Sequence, residues 1–256
     1  MSAIDVHAVV SGRDDAPAVV FSNSLGSDHR MWDAQLAAFK EQFRVVRYDT
    51  RGHGASPVPQ GPYTIDDLAD DVIALLDRLD IARAHIVGLS LGGATAQRLA
   101  IRNPDRVAKI AVLCTAAHFP PASGWTDRAA AVRAGGSGAV AEAVVARWFT
   151  ADYLEQNPES RKYHEDMVAA TPAEGYAGCC EVLAAMDLTA DLGAISAPTL
   201  AIAGADDPAT PPPRLQEIAD GVANGRLLVV DHAAHLANHE QPQIITPALI
   251  EHLENA

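Results

Sequence analysis

Three stretches of this 256-residue chain carry side chains whose types and spacing suit acyl-transfer chemistry. The first is Gly88-Leu89-Ser90-Leu91-Gly92, a serine with glycine two residues away on either side. A serine raised on a tight strand-to-helix turn needs that spacing, because a Cβ at either flank would collide with neighbouring backbone. The second, Gly204-Ala205-Asp206-Asp207-Pro208-Ala209-Thr210-Pro211, offers two carboxylates. The third, Asp231-His232-Ala233-Ala234-His235-Leu236-Ala237-Asn238-His239-Glu240, offers three imidazoles. A serine hydroxyl becomes a useful nucleophile when a base takes its proton, and the base needs an acceptor on its other ring nitrogen to fix the tautomer. The order serine, acid, histidine meets that need. Asp207 is favoured over Asp206, which stands nearer the strand end and could cap the turn; His232, His235 and His239 all compete for the base.

The attack also creates an oxyanion, which requires N–H donors. Leu91 supplies one from its backbone, and Leu25, in the loop Asn23-Ser24-Leu25-Gly26, is placed to supply the other. The spacing of His232, His235 and His239 also fits a metal-binding helical face. These residues directly follow a strand, however, and no second cluster such as His-Glu-x-x-His occurs, so neither a metal nor an organic cofactor is expected. Gly52-His53-Gly54 is a Gly-x-Gly, but Pro57 stands where a dinucleotide fingerprint places its last small residue. The remaining histidines, His7, His29, His53, His85, His118, His164 and His252, read as surface or satisfied core residues.

The elements that must position these groups alternate. Strands are expected over residues 4–10, 18–22, 43–48, 84–89, 109–115, 199–204 and 226–230, with helices over 31–39, 63–79 and 94–100. Thr64 is a plausible N-cap of the second helix. Such alternation builds a mostly parallel, doubly wound α/β sheet. From residue 117 to 192 only helical patterns occur, over 127–134, 139–149, 161–170 and 173–186. That segment reads as a cap over the strand ends, giving a core of residues 1–116 and 193–256 with a cap of 117–192 inserted after the sixth strand. Helices over 215–220, started by Pro211-Pro212-Pro213, and over 242–254 complete the chain.

A net charge of −14 with only 19 Lys and Arg argues against nucleic-acid binding. Three cysteines, two of them adjacent at Cys179 and Cys180, fit a reducing compartment. No run approaches a membrane span and the first residues lack a signal-peptide pattern, so a cytoplasmic chain without membrane partners is expected. Homo-oligomerisation is left open.

Taken together, Asn23-Ser24-Leu25-Gly26, Asp49-Thr50-Arg51-Gly52-His53-Gly54-Ala55-Ser56, the Ser90 turn, Gly204-x-x-Asp207-x-x-Thr210-Pro211, and His235 with Glu240 and Pro242 resemble the α/β-hydrolase superfamily. The opening Phe21-Ser22-Asn23-Ser24-Leu25-Gly26-Ser27-Asp28, where most relatives have His-Gly, is similar to 3-oxoadipate enol-lactonases. Met186-Asp187-Leu188 and the segment 203–207 fit the same group. The resemblance selects Asp207 and His235 over their neighbours. It implies cofactor-free opening of an anionic enol-lactone to 3-oxoadipate in the β-ketoadipate pathway of bacterial aromatic catabolism. The substrate's carboxylate then calls for arginine, and Arg128 or Arg133 in the cap is expected to meet it while Trp125 lines the pocket. Rival functions with the same serine are a general carboxylesterase, a perhydrolase and a carbon–carbon bond hydrolase. A non-catalytic ligand receptor on the same scaffold is the rival of a different class.

Overall fold

Seven short strands, the central ones apolar runs buried on both faces, assemble one sheet in the computed structural model, which describes residues 2–254. Its strands are β1 (Ala8–Gly12), β2 (Ala18–Ser22), β3 (Arg44–Tyr48), β4 (Ala84–Leu89), β5 (Val107–Leu113), β6 (Thr199–Gly204) and β7 (Gly225–Val230). They lie in the order β1-β3-β2-β4-β5-β6-β7, with β1 antiparallel to β3 and every other pair parallel. Every residue of β2, β4 and β6 is buried, as parallel strands covered on both faces should be.

Helix α1 (Asp33–Lys40) carries the chain from β2 outward to β3, and α2 (Ile65–Arg78) carries it back across β2 to β4. The connections therefore reverse direction between β2 and β4, and at such a switch point a crevice opens beyond the carboxyl ends of the strands. Ser22 pairs in register with Gly88 there, which sets the loop after β2 beside Ser90. Thr64 caps α2 reciprocally: its hydroxyl accepts the Asp67 N–H while the Asp67 carboxylate accepts from Thr64 N. The remaining core helices are α3 (Leu91–Arg102), α9 (Pro212–Gly221), α10 (Ala237–Glu240) and α11 (Pro242–Glu254).

Between β5 and β6 stand five helices: α4 (Ala122–Gly135), α5 (Gly138–Trp148), α6 (Ala151–Gln156), α7 (Pro158–Ala170) and α8 (Ala173–Ala185). They leave and rejoin the sheet at a neck where the Leu188 N–H donates to the Ala117 carbonyl at 2.9 Å. The insertion follows the fifth strand and not the sixth, in agreement with the five strand ranges expected before residue 117. The strand begins at Ala8 and not at Ile4, because side chains take the amides before it: Ile4 N bonds Asp71 and His7 N bonds Ser56, while the His7 carbonyl still accepts from Asp49 N. Helix α6 was not expected either; six residues are too few to show a 3.6-residue period, and Thr150 starts it by accepting the Tyr153 N–H.

Candidate active site

Ser90 leaves β4 at φ +56° and ψ −115°, a region a residue with a Cβ occupies only when its surroundings enforce it. The enforcement is visible. Ser90 N donates to the Leu113 carbonyl of β5 at 2.9 Å, and Ser90 O accepts the Thr115 hydroxyl at 2.7 Å. A Cβ on Gly88 would land on the Gly92 carbonyl, and one on Gly92 would land on the Ser22 carbonyl at the end of β2. The glycines thus let three backbone segments meet around the serine.

His235 lies on the loop after β7, and its Nδ1 is 2.8 Å from Oδ2 of Asp207, on the loop after β6. The carboxylate also accepts the Thr210 hydroxyl at 2.6 Å and the amides of Ala209 and Thr210. Burial alone would raise the Asp207 pKa, but the facing His235 and these hydrogen bonds outweigh it and hold it at about 2. Because this lies below the ordinary 3.8, the stability Asp207 contributes is complete above pH 3.8 and is lost as pH falls toward 2. Asp207 should therefore stay ionised across the working range. The acid limb of log kcat/KM is expected to fall with a slope of one proton, and a slope of two above about pH 3 would contradict this assignment. Asp206 is exposed and lines a neighbouring groove with His232, Asp152 and Gln241.

Ser90, His235, Leu25 and Thr210 line one cavity of about 550 Å³ counted to its open mouth. Leu91 is the first residue of α3, so its N–H has no partner within the helix. The cap closes the cavity with Phe119, Trp125, Val144, Trp148 and Tyr176, and adds two arginines. Arg128 stacks over the Trp125 ring at 4.7 Å. Arg147 also lines the cavity, and burial followed by the charge of Arg128 pushes its pKa below the ordinary arginine value. Neither guanidinium forms an ion pair with a carboxylate among the described residues.

Arg133 is not part of this cavity. It lies five residues beyond Arg128 on α4, about 140° around a helix of 3.6 residues per turn. Its guanidinium is occupied by Glu174 and Glu181 of α8. Arg147, by contrast, went unnoticed in the sequence, although a lone cation beside Trp148 at the end of α5, whose one other charged residue is Glu142, is a usable signal.

The three neighbouring histidines do not converge. His235 pairs with Asp207, His232 is exposed, and His239 packs against Phe149, Tyr153 and His164. Among the described residues one other trio, His7, His29 and Asp49, brings metal-type ligands together. Each oxygen of Asp49 already accepts one imidazole and one backbone N–H, from His29 on Oδ1 and from His7 and Ala55 on Oδ2. Those bonds tie the first residues of the chain to the loop after β3.

The backbone on both sides of His235 is held by cap-linked acceptors. Leu236 N donates to the Trp148 carbonyl at 2.7 Å. Ala234 N donates to Glu240 at 2.9 Å, and the other oxygen of Glu240 accepts the amide and hydroxyl of Thr150.

A model of the α/β hydrolase fold matches residues 17–242. 3-Oxoadipate enol-lactonase 2 of Acinetobacter baylyi is 45% identical over 238 residues, covering 93% of this chain and 89% of its own. 3-Oxoadipate enol-lactonase 1 of the same organism is 42% identical, covering 91% and 87%. The crystal structure of the enol-lactonase from Burkholderia xenovorans superposes with a TM-score of 0.96 at 42% identity, over 98% of this chain and 96% of that one.

Proposed function

This chain belongs to the α/β-hydrolase fold family, and from that premise we propose that it hydrolyses 3-oxoadipate enol-lactone to 3-oxoadipate in the β-ketoadipate pathway. The observation that supports this reading is one cavity lined by Ser90, by His235, whose ring is held from behind by Asp207, and by two arginines that have no acidic partner among the described residues. The similarity to two enol-lactonases at 45% and 42% identity points the same way.

In the reaction, the Ser90 hydroxyl attacks the lactone carbonyl and its proton passes to Nε2 of His235, whose Nδ1–H is held by Asp207. The Leu25 and Leu91 amides receive the oxyanion. The carbon–oxygen bond to the ring then breaks, the enol oxygen takes the proton from His235, and the enol becomes a ketone. Water, deprotonated by His235, then adds to the acyl carbonyl; the ester bond to Ser90 breaks, His235 returns its proton to the serine oxygen, and the second carboxyl group is freed and ionises. No electron acceptor or metal is needed for any of these steps. Arg128 and Arg147 hold the substrate's own carboxylate against the aromatic wall, where an unpaired charge would otherwise be costly to bury.

Loss of the ultraviolet absorbance of the enol-lactone on adding the purified protein tests the reading, with p-nitrophenyl acetate as the neutral comparison. Turnover of the acetate without any of the lactone would reject it in favour of a general esterase. The arginine assignment has its own test. Arg128→Ala and Arg147→Ala are each expected to raise KM for the lactone about 10- to 100-fold, the worth of a charge-assisted hydrogen bond, with little effect on the acetate. Arg133→Ala should leave KM for the lactone where it is. Unchanged lactone KM in both cavity variants would remove the arginines from recognition.

A further inference from the structure

The loop from Asp49 to Pro57 contributes nothing to the cavity wall, yet one of its side chains reaches the turn that carries the second oxyanion donor. That turn is Ser24-Leu25-Gly26-Ser27, closed by Ser27 N donating to the Ser24 carbonyl at 3.2 Å. Gly26 sits at φ +81° while Leu25 has an ordinary negative φ, the pattern of a type II turn. A type I turn has the same closing bond with its central peptide, here Leu25–Gly26, turned over. Glycine accepts either arrangement, so something outside the turn must select one.

His53 makes that selection. Its Nε2 accepts the Gly26 N–H at 3.0 Å, the N–H of the central peptide. Its Nδ1 lies 3.1 Å from the Arg51 carbonyl, which can only accept, so the proton is on Nδ1 and Nε2 is free to accept. A single neutral tautomer satisfies both bonds. Burial, with the ring 0% exposed, lowers the His53 pKa and so favours that neutral form. The ring is also rigidly mounted: Arg51, beside it, is fully buried and grips both oxygens of Asp71 at 2.6 Å.

We propose that His53 is a positioning residue for acyl transfer: by holding the Gly26 N–H it anchors the Ser24–Ser27 turn in place, and with it the adjoining Ser24–Leu25 peptide whose N–H is offered to the oxyanion. The proposal rests on the reading of Ser90 as an acyl-transfer nucleophile but not on the identity of the lactone. His53 touches no substrate. Its effect should therefore appear in steps that build negative charge on the carbonyl oxygen and be absent from ground-state binding.

The experiment compares His53→Phe, which keeps a ring and removes the acceptor, with His53→Gln, whose side-chain oxygen can still accept. Rates are normalised by active-site titration with a fluorophosphonate. In the Phe variant kcat for both enol-lactone and p-nitrophenyl acetate should fall about 30- to 100-fold, less than the loss of a whole oxyanion donor, with KM within about threefold. The inhibition constant of phenylboronic acid, which adds to serine as a tetrahedral anion, should rise by a similar factor while the affinity for adipate is unchanged. The Gln variant should recover to within about fivefold of the parent. Equal losses for boronate and adipate, or a Phe variant within about threefold of the parent in kcat, would overturn the proposal. Should the Phe variant not fold, the parent enzyme decides: a through-bond coupling between the Gly26 and His53 Nε2 nitrogens is expected by NMR, and its absence would also overturn the proposal. Intact acetate turnover and boronate affinity with no lactone turnover would reject the substrate alone and leave the role of His53 open to the same measurements.

Discussion

Ser90→Ala is expected to lower kcat for the enol-lactone about 10⁵- to 10⁶-fold, the scale on which losing a nucleophile costs a serine hydrolase. The residual rate should be what the oxyanion donors and substrate positioning provide without covalent chemistry. The fold should not change, because the structural bonds at this position belong to the backbone. The amide reaches Leu113 and the carbonyl receives Thr115, and the variant keeps both. The left-handed backbone is enforced by those same neighbours, and alanine has the same Cβ as serine. Thermal unfolding and the affinity for adipate should match the parent. Turnover within about tenfold of the parent at unchanged stability would remove Ser90 from the mechanism and leave the His235–Asp207 pair to act on water directly.

Gly92→Ala is expected to do the reverse, attacking the fold first and chemistry as a consequence. The added Cβ would overlap the Ser22 carbonyl and approach Asn23 N, all of it backbone at the end of a central, fully buried strand. No side chain can swing away to make room. The loss should exceed the roughly 1–3 kcal/mol typical of overpacking, because the atoms struck are backbone and cannot repack. Any fraction that folds must do so with β2 pushed from the elbow, carrying Asn23 to Leu25 with it, and should turn over slowly. Gly124→Ala is the matched control. That glycine lies within α4 with nothing within 4 Å of the new Cβ, and removing its backbone freedom should stabilise by about 0.5–1 kcal/mol. Urea midpoints of the two variants that moved in the same direction would reject the steric account.

The parts legible in the sequence are those whose signal is local. Gly88 declares the elbow because the backbone its Cβ would strike is that of Gly92, four residues on, and Thr64 declares the start of α2 because its partner is Asp67, three residues on. Strand β6 was legible to its exact ends because both faces are buried and its apolar run is uninterrupted. The misses are non-local. Ile4 to His7 have the composition of a strand, but Asp71 and Ser56 take their amides, and neither is close in sequence. Arg133 and Arg128 sit on one helix with similar neighbours; only the position of Glu174 and Glu181 on α8 decides which of them is occupied elsewhere. The same holds for His53, whose partner is Gly26, and for Arg147, whose place at the cavity depends on how α5 crosses the strand ends.

The hydrogen bonds that flank His235 have a bearing on how such enzymes could be rebuilt. A chimera that receives a foreign cap to change its substrate inherits a new Trp148 carbonyl and a new Thr150, and these are the groups that seat Leu236 and Glu240. The cavity wall that the cap supplies and the backbone seat of His235, the proposed base, are therefore transplanted as one unit. A donor cap that fills the pocket well but lacks an acceptor at the seam would yield an enzyme that binds its new substrate and turns it over poorly. Repair in such a chimera lies at the cap–core seam, outside the pocket.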